Sequence, residues 1–150
     1  MIAVIQRVKS CNVSIDRNVI SSIKHGVLVL LGIQNGDNQD DIKYISNKIL
    51  KMRIFNDSQE HMNFSVGDVG GGILVVSQFT LCGDVKKGNR PSYINAMDVD
   101  LAREVYNSFI DYISGCYSKV ESGTFQANMK VNLINDGPVT LIVRSQDRIR

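Results

Sequence analysis

A chain of 150 residues with 43% hydrophobic content carries enough apolar material for one ordinary globular core, which predicts a single domain over 1–150 and excludes a disordered polar tail. Lys and Arg outnumber Asp and Glu by only 17 to 15, so bulk charge does not mark a nucleic-acid binder and any such contact must be local. Three widely spaced cysteines, Cys11, Cys82 and Cys116, without a CxxC pair, argue against a disulfide framework and a zinc knuckle.

They read instead as reduced thiols of a cytoplasmic protein. The longest apolar run, "VLVLLGI" at 27–33, is far short of a membrane span, and Arg7 and Lys9 interrupt the first residues before a signal-peptide core can form. No membrane association or export is expected.

Ile2, Val4 and Val8 fall on one face of an opening strand, Cys11, Val13 and Ile15 repeat the period of two, and "SIDRN" at 14–18 reads as a turn. "GVLVLLGI" at 26–33 is a continuous apolar run, as expected of a strand buried on both faces and therefore central. From Asp40 to Met52 the residues Ile42, Ile45, Ile49 and Met52 recur at steps of three and four with lysines between them, which predicts an amphipathic helix. "GGGILVVSQFTL" at 70–81 predicts a strand after a glycine turn. A second helix is expected from Leu101 to about Ser114, with Asp98 or Asp100 as its cap, Leu101, Val105, Phe109 and Ile113 on its buried stripe, and Gly115 as its stop.

Phe125, Ala127, Met129, Val131 and Leu133 then alternate with Thr124, Gln126, Asn128, Lys130 and Asn132, the pattern of a two-faced strand. "NDGPVT" at 135–140 sets turn formers between strand-like flanks, for which a hairpin is the simplest reading. With no linker or repeat, the order β-β-β-α-β-β-α-β-β predicts one α+β unit: a mainly antiparallel, barrel-like sheet with two main helices packed on it.

His25 in "IKHG" and His61 in "SQEHMN" sit in turn-like polar contexts, so neither is placed as a general base beside a nucleophile. Two isolated histidines and scattered thiols do not make a metal site, and "GDVGGG" at 67–72 lacks the lysine of a phosphate loop; neither metal nor cofactor is expected. "SQFTL" at 77–81 offers the hydroxyls of Ser77 and Thr80 and the amide of Gln78 where an apolar strand ends. This is either a strand end satisfying local backbone groups or a catalytic segment. The loop at 82–93 gathers Lys86, Lys87 and Arg90 around Gly88, which suits a phosphate or a solvated turn.

"VSQFTL", "KGNRPSY" and "NDGPVT", in this order and spacing, resemble the D-aminoacyl-tRNA deacylases, and the similarity extends from "AVIQRV" through "GVLVLLGI" and "KILKMRIFND" to the last strands. The resemblance implies a homodimer that hydrolyses the ester joining a D-amino acid to the terminal ribose of tRNA. It implies that Ser77, Gln78, Phe79 and Thr80 line the pocket. Thr80 is a candidate nucleophile, but no neighbouring base is evident, so Ser77 and Thr80 are read as positioning groups, with the amides near Phe79 and Thr80 stabilising the oxyanion and a ribose hydroxyl helping to activate water. Gly137 and Pro138 would form a cis Gly-Pro element that reaches into the partner's pocket and rejects L-substrates. Met129 would border the pocket, and Lys86, Lys87 and Arg90 would hold tRNA phosphates. One departure is Gln126 in "GTFQANM", where the family commonly has glycine.

Two other readings compete. A non-catalytic nucleic-acid module would grip phosphates with Lys86, Lys87, Arg90 and the basic tail Arg144, Arg148 and Arg150. A hydrolase of small D-amino acid esters would need no tRNA.

Overall fold

In the computed structural model, which describes residues 1–148, β1 (Ile2–Ile15) turns through Asp16 and Arg17 into β2 (Asn18–Ile23). Both turn residues have positive φ, 47° and 72°, the mirror-image geometry whose twist suits a two-residue hairpin. β3 (Gly26–Gly32) and α1 (Gln39–Lys51) follow, then the short pair β4 (Phe55–Asn56) and β5 (Met62–Phe64), β6 (Gly72–Ser77), a 3₁₀ turn (Phe79–Cys82), α2 (Val99–Cys116), β7 (Val120–Ser122) and β8 (Lys130–Arg144).

The helices form where their spacing places them. Asn38 accepts from the Asp40 amide while the Asp41 carboxylate accepts from the Asn38 amide, a capping box that starts α1. Ile42, Ile45 and Ile49 are buried as the periodicity predicts. Asp98 caps α2 by accepting from the Asp100 amide at 3.1 Å. The buried stripe of α2 differs from the expected one: Ala102, Tyr106, Phe109 and Ile113 face inward, and Leu101 is 56% exposed. The Tyr106 hydroxyl donates to the Val75 carbonyl of β6 at 3.1 Å, and a helix turned to make that bond carries Leu101 away from the core. Gly115 does not stop the helix, which runs one residue further to Cys116.

Six strands form one sheet in the order β2-β1-β3-β6-β7, with β8 on the remaining edge of β1. Pairing is antiparallel around β1, but β3–β6 and β6–β7 are parallel, so the sheet is mixed with most of its pairing antiparallel. The crossover through α1 returns the chain in the same direction, which makes β6 parallel to β3. Close approach of these strands depends on glycine: a Cβ on Gly26 would overlap the Gly72 backbone. β3 is central, as its unbroken apolar run predicts.

Two apolar clusters flank the sheet. One joins Ala3, Ile5, Val29, Leu31, Ile73 and Val75 to Ile45, Phe109 and Ile113 of the helices. The other joins Val8, Cys11, Val13, Leu28, Leu74 and Val76, with Met129, Val131 and Leu133 packed against them, inside the curl of the sheet. Each large aliphatic side chain so buried contributes about 1.5–3 kcal/mol.

The C-terminal third departs from the expected pattern. The alternation from Phe125 suggests a strand, but β8 begins at Lys130, because Gln126 adopts φ +66° and breaks the extended chain before it. Nor is "NDGPVT" a hairpin. β8 passes through it and bulges: Gln6 pairs with Thr140 and Val8 with Asn135, so residues 136–139 stand opposite Arg7 alone.

Candidate active site

β6 ends at Ser77, where the Gln78 amide donates to the Leu31 carbonyl at 2.7 Å and fixes the exit from the sheet. The chain then tightens into the 3₁₀ turn, with Leu81 N–H on Gln78 O at 3.2 Å and Gly83 N–H on Thr80 O at 3.1 Å. Gly32 makes room for it, since a Cβ there would press on Leu81 and the Gln78 carbonyl. This segment opens one wall of a cleft of about 790 Å³, lined by Ser77, Gln78 and Phe79, by Tyr93, by the start of α2 and by residues 125–131. Phe79 is 60% exposed and packs edge-on against Tyr93, with ring centres 5.1 Å apart. Met129 lines the cleft and also packs on the inner cluster. Thr80 is not on the wall; its hydroxyl accepts from the Gln78 side-chain amide.

A different set of interactions shapes the bulge at 136–139. Arg7, only 6% exposed, donates through Nε to the Asp136 carbonyl at 3.2 Å and through Nη1 to the Ile54 carbonyl and to Asn56 Oδ1, and pairs with the Asp136 carboxylate at 3.3 Å. The Asn135 side chain ties both ends, donating to the carbonyls of Arg7 and Val139 at 2.9 and 3.1 Å. Gly137 has φ +107°, and a Cβ there would overlap the Arg7 guanidinium. The Gly137–Pro138 bond is trans, which corrects the cis geometry implied by the resemblance. Trans is the lower-energy isomer of X-Pro by about 0.5–1 kcal/mol, and here the glycine φ supplies the change of direction. Both residues are exposed, and neither lines the 790 Å³ cleft of its own chain; Gly137 borders a smaller cavity of about 380 Å³ with Arg7, His25, Phe55 and Asn56.

A family model described as D-Tyr-tRNA(Tyr) deacylase matches residues 4–144. The chain belongs to the D-Tyr-tRNA(Tyr) deacylase family. It is 50% identical over 149 residues to a D-aminoacyl-tRNA deacylase of Flavobacterium psychrophilum, covering 99% of both chains, and 47% identical to one of Thermosipho africanus, covering 97% of this chain and 98% of that one. Among solved structures, the c-Myc DNA Unwinding Element Binding Protein superposes with a TM-score of 0.92 at 41% identity, over 96% of this chain and 98% of the other. A probable eukaryotic D-amino acid tRNA deacylase, 17% identical with a TM-score of 0.79 over 95% and 97%, shares the fold. Membership in the deacylase family makes the chain a hydrolase of ester bonds.

Lys86, Lys87 and Arg90 are exposed on a loop closed by the Asp84–Ser92 bridge, outside the cleft lining and in no ion pair among the described residues. Arg150 of the basic tail lies outside the described residues. His25 packs edge-on against Phe55 and His61 is exposed on the β4–β5 hairpin, so neither meets Ser77 or Thr80. Cys11 and Cys82 are buried, and burial pushes the Cys11 thiol up to about 11; Cys116 is exposed. No helix among the described residues is long and apolar enough to cross a membrane.

The reading of the sequence missed Arg7. Its signal is an arginine in register with Ala3 and Ile5, on a buried strand face.

Proposed function

We propose that the chain hydrolyses the ester of D-aminoacyl-tRNA in the cleft that begins at Ser77. Water adds to the ester carbonyl, the bond to the ribose oxygen breaks, that oxygen takes a proton, and free D-amino acid and tRNA leave. The observation that carries this reading is the fixed strand exit at Ser77–Gln78, followed by a 3₁₀ turn. In such a turn the first hydrogen bond is made by the Leu81 amide, so the turn itself makes no demand on the amides of Phe79 and Thr80. Two amides of this kind suit a developing oxyanion. Thr80 and Ser77 position, and a ribose hydroxyl of the tRNA helps activate the water. A cleft of about 790 Å³ accommodates a terminal adenosine with its aminoacyl group, and Phe79 beside Tyr93 offers a face for a base.

Chirality is read by main chain. A pocket that accepts many side chains of one hand must recognise what all substrates share, and rigid carbonyls near the ammonium do so while blocking the opposite hand. Gly137 and Pro138, exposed on their own chain, would be delivered to the cleft of a second copy in a homodimer. Ile134 and Ile142, 57% and 54% exposed on β8 to either side of the bulge, offer apolar surface for that contact. Lys86, Lys87 and Arg90, with Arg144 and Arg148, would hold tRNA phosphates in the cytoplasm.

Incubation with matched D- and L-tyrosyl-tRNA tests the reading. Release of the D-amino acid alone is expected. Salt-sensitive binding without release would favour a nucleic-acid module. Equal release from small D-esters would favour a hydrolase without tRNA.

A further inference from the structure

The wall of the cleft opposite Ser77 is a turn under strain. The Ala127 amide donates to the Thr124 carbonyl at 3.3 Å, and the third residue of that turn, Gln126, has φ +66°, where a type II turn favours glycine. A long L side chain occupies the left-handed region at a cost that contacts with its surroundings offset. Among the described residues only Asp16, Arg17 and Glu60 share this condition, and all three are exposed turn residues away from the cleft.

One side chain meets both halves of the turn. Arg103, on α2 next to the cleft-lining Ala102, donates from Nη2 to the Gln126 side-chain carbonyl. The same guanidinium lies over the Phe125 ring, 4.9 Å from its centre, and Phe125 in turn packs on the buried Tyr106 at 5.5 Å. Phe125, Gln126, Ala127, Asn128 and Met129 all line the cleft, so whatever fixes this turn fixes the shape of that wall. The fork of an arginine suits the double task, stacking with its face while donating from its edge.

We propose, resting on the cleft as the site of deacylation, that Arg103 is a positioning residue that clasps the 124–127 turn and so sets the substrate-facing wall for a chain with glutamine at position 126. Arg103 acts through Phe125 and Gln126 and touches no reacting atom. Its loss loosens the fit of the bound adenosine end and leaves the catalytic segment at 77–80 in place.

A double-variant cycle decides it. Arg103→Ala, Gln126→Gly and the pair are compared by steady-state hydrolysis of D-tyrosyl-tRNA and by urea unfolding. Arg103→Ala is expected to raise KM about five- to tenfold with kcat within about twofold. Adding Gln126→Gly is expected to recover most of that loss and to raise the urea midpoint above that of Arg103→Ala, because glycine holds positive φ without a clasp. The assignment is overturned if Arg103→Ala leaves KM unchanged, if kcat falls instead, or if glycine at 126 recovers nothing. Should the unsubstituted protein fail to hydrolyse D-tyrosyl-tRNA, the reading of the cleft fails, while the unfolding cycle still reports whether Arg103 and Gln126 are coupled.

Discussion

The cleft segment at 77–82 and the bulge at 136–139 are held in opposite ways. The first is fixed by main chain: Gln78 on Leu31, Leu81 on Gln78, Gly83 on Thr80. The second is fixed by side chains, chiefly one buried cation that meets Asp136, Ile54 and Asn56 at once, with Asn135 closing the ends. Backbone-held geometry tolerates exchange of its side chains, since the bonds remain. Geometry held by a single guanidinium does not. Substitutions in the bulge should therefore damage fold and activity together, and substitutions in the cleft segment should separate them.

The largest effect is expected from Arg7→Met, which keeps the stem and removes the guanidinium. It strands two carbonyls and leaves the partly exposed Asp136 carboxylate only the longer contact to Lys9 at 3.8 Å, a loss of about 3–5 kcal/mol. Urea unfolding measures it; an unchanged midpoint would remove Arg7 from its role. Gly137→Ala comes next. A Cβ at φ +107° facing that guanidinium should destabilise by about 1–3 kcal/mol and reduce chiral discrimination, seen as a smaller ratio of D- to L-tyrosyl-tRNA hydrolysis. Thr80→Ala sharpens the contrast from the other side, because among the described residues its hydroxyl bonds only to the Gln78 side-chain amide. Single-turnover hydrolysis should slow by about tenfold with stability intact; a loss of about ten-thousandfold with tRNA still bound would make the hydroxyl the nucleophile. The smallest effect belongs to the combined Lys86→Ala, Lys87→Ala and Arg90→Ala variant. The slope of log affinity for tRNA against log salt should shrink by about 2–3, with little change in the rate at saturation.

Much of this was legible in the sequence where one physical signal dominates. α1 lies within a residue of its expected bounds because periodicity and a capping box agree, and the unbroken run of β3 announces burial on both faces. The errors arise where tertiary contacts override pattern. Phe125 to Met129 alternate like a strand, yet a left-handed Gln126 turns them into a cleft wall, and only the family's glycine at that position hints at the conformation. "NDGPVT" has the composition of a turn, and its neighbours on β1 stretch it into a bulge instead. Ser77, Gln78 and Phe79, singled out by motif, line one cleft. Arg7 was passed over because a lone arginine in a strand is ordinarily a surface residue, and here its partners lie 47 and 129 positions away.

That distance has a consequence for biosynthesis. β1 is made before β8, its partner along nearly its whole length, and all the other strands of the sheet are made in between. While the ribosome is still at work, the edge of β1 that β8 will cover has unpaired amides and carbonyls, and an arginine waits for a loop not yet translated. Long-range closure of this kind slows folding and leaves an adhesive edge in the meantime. The element proposed to sort one mirror image from the other is assembled after the other strands of the sheet.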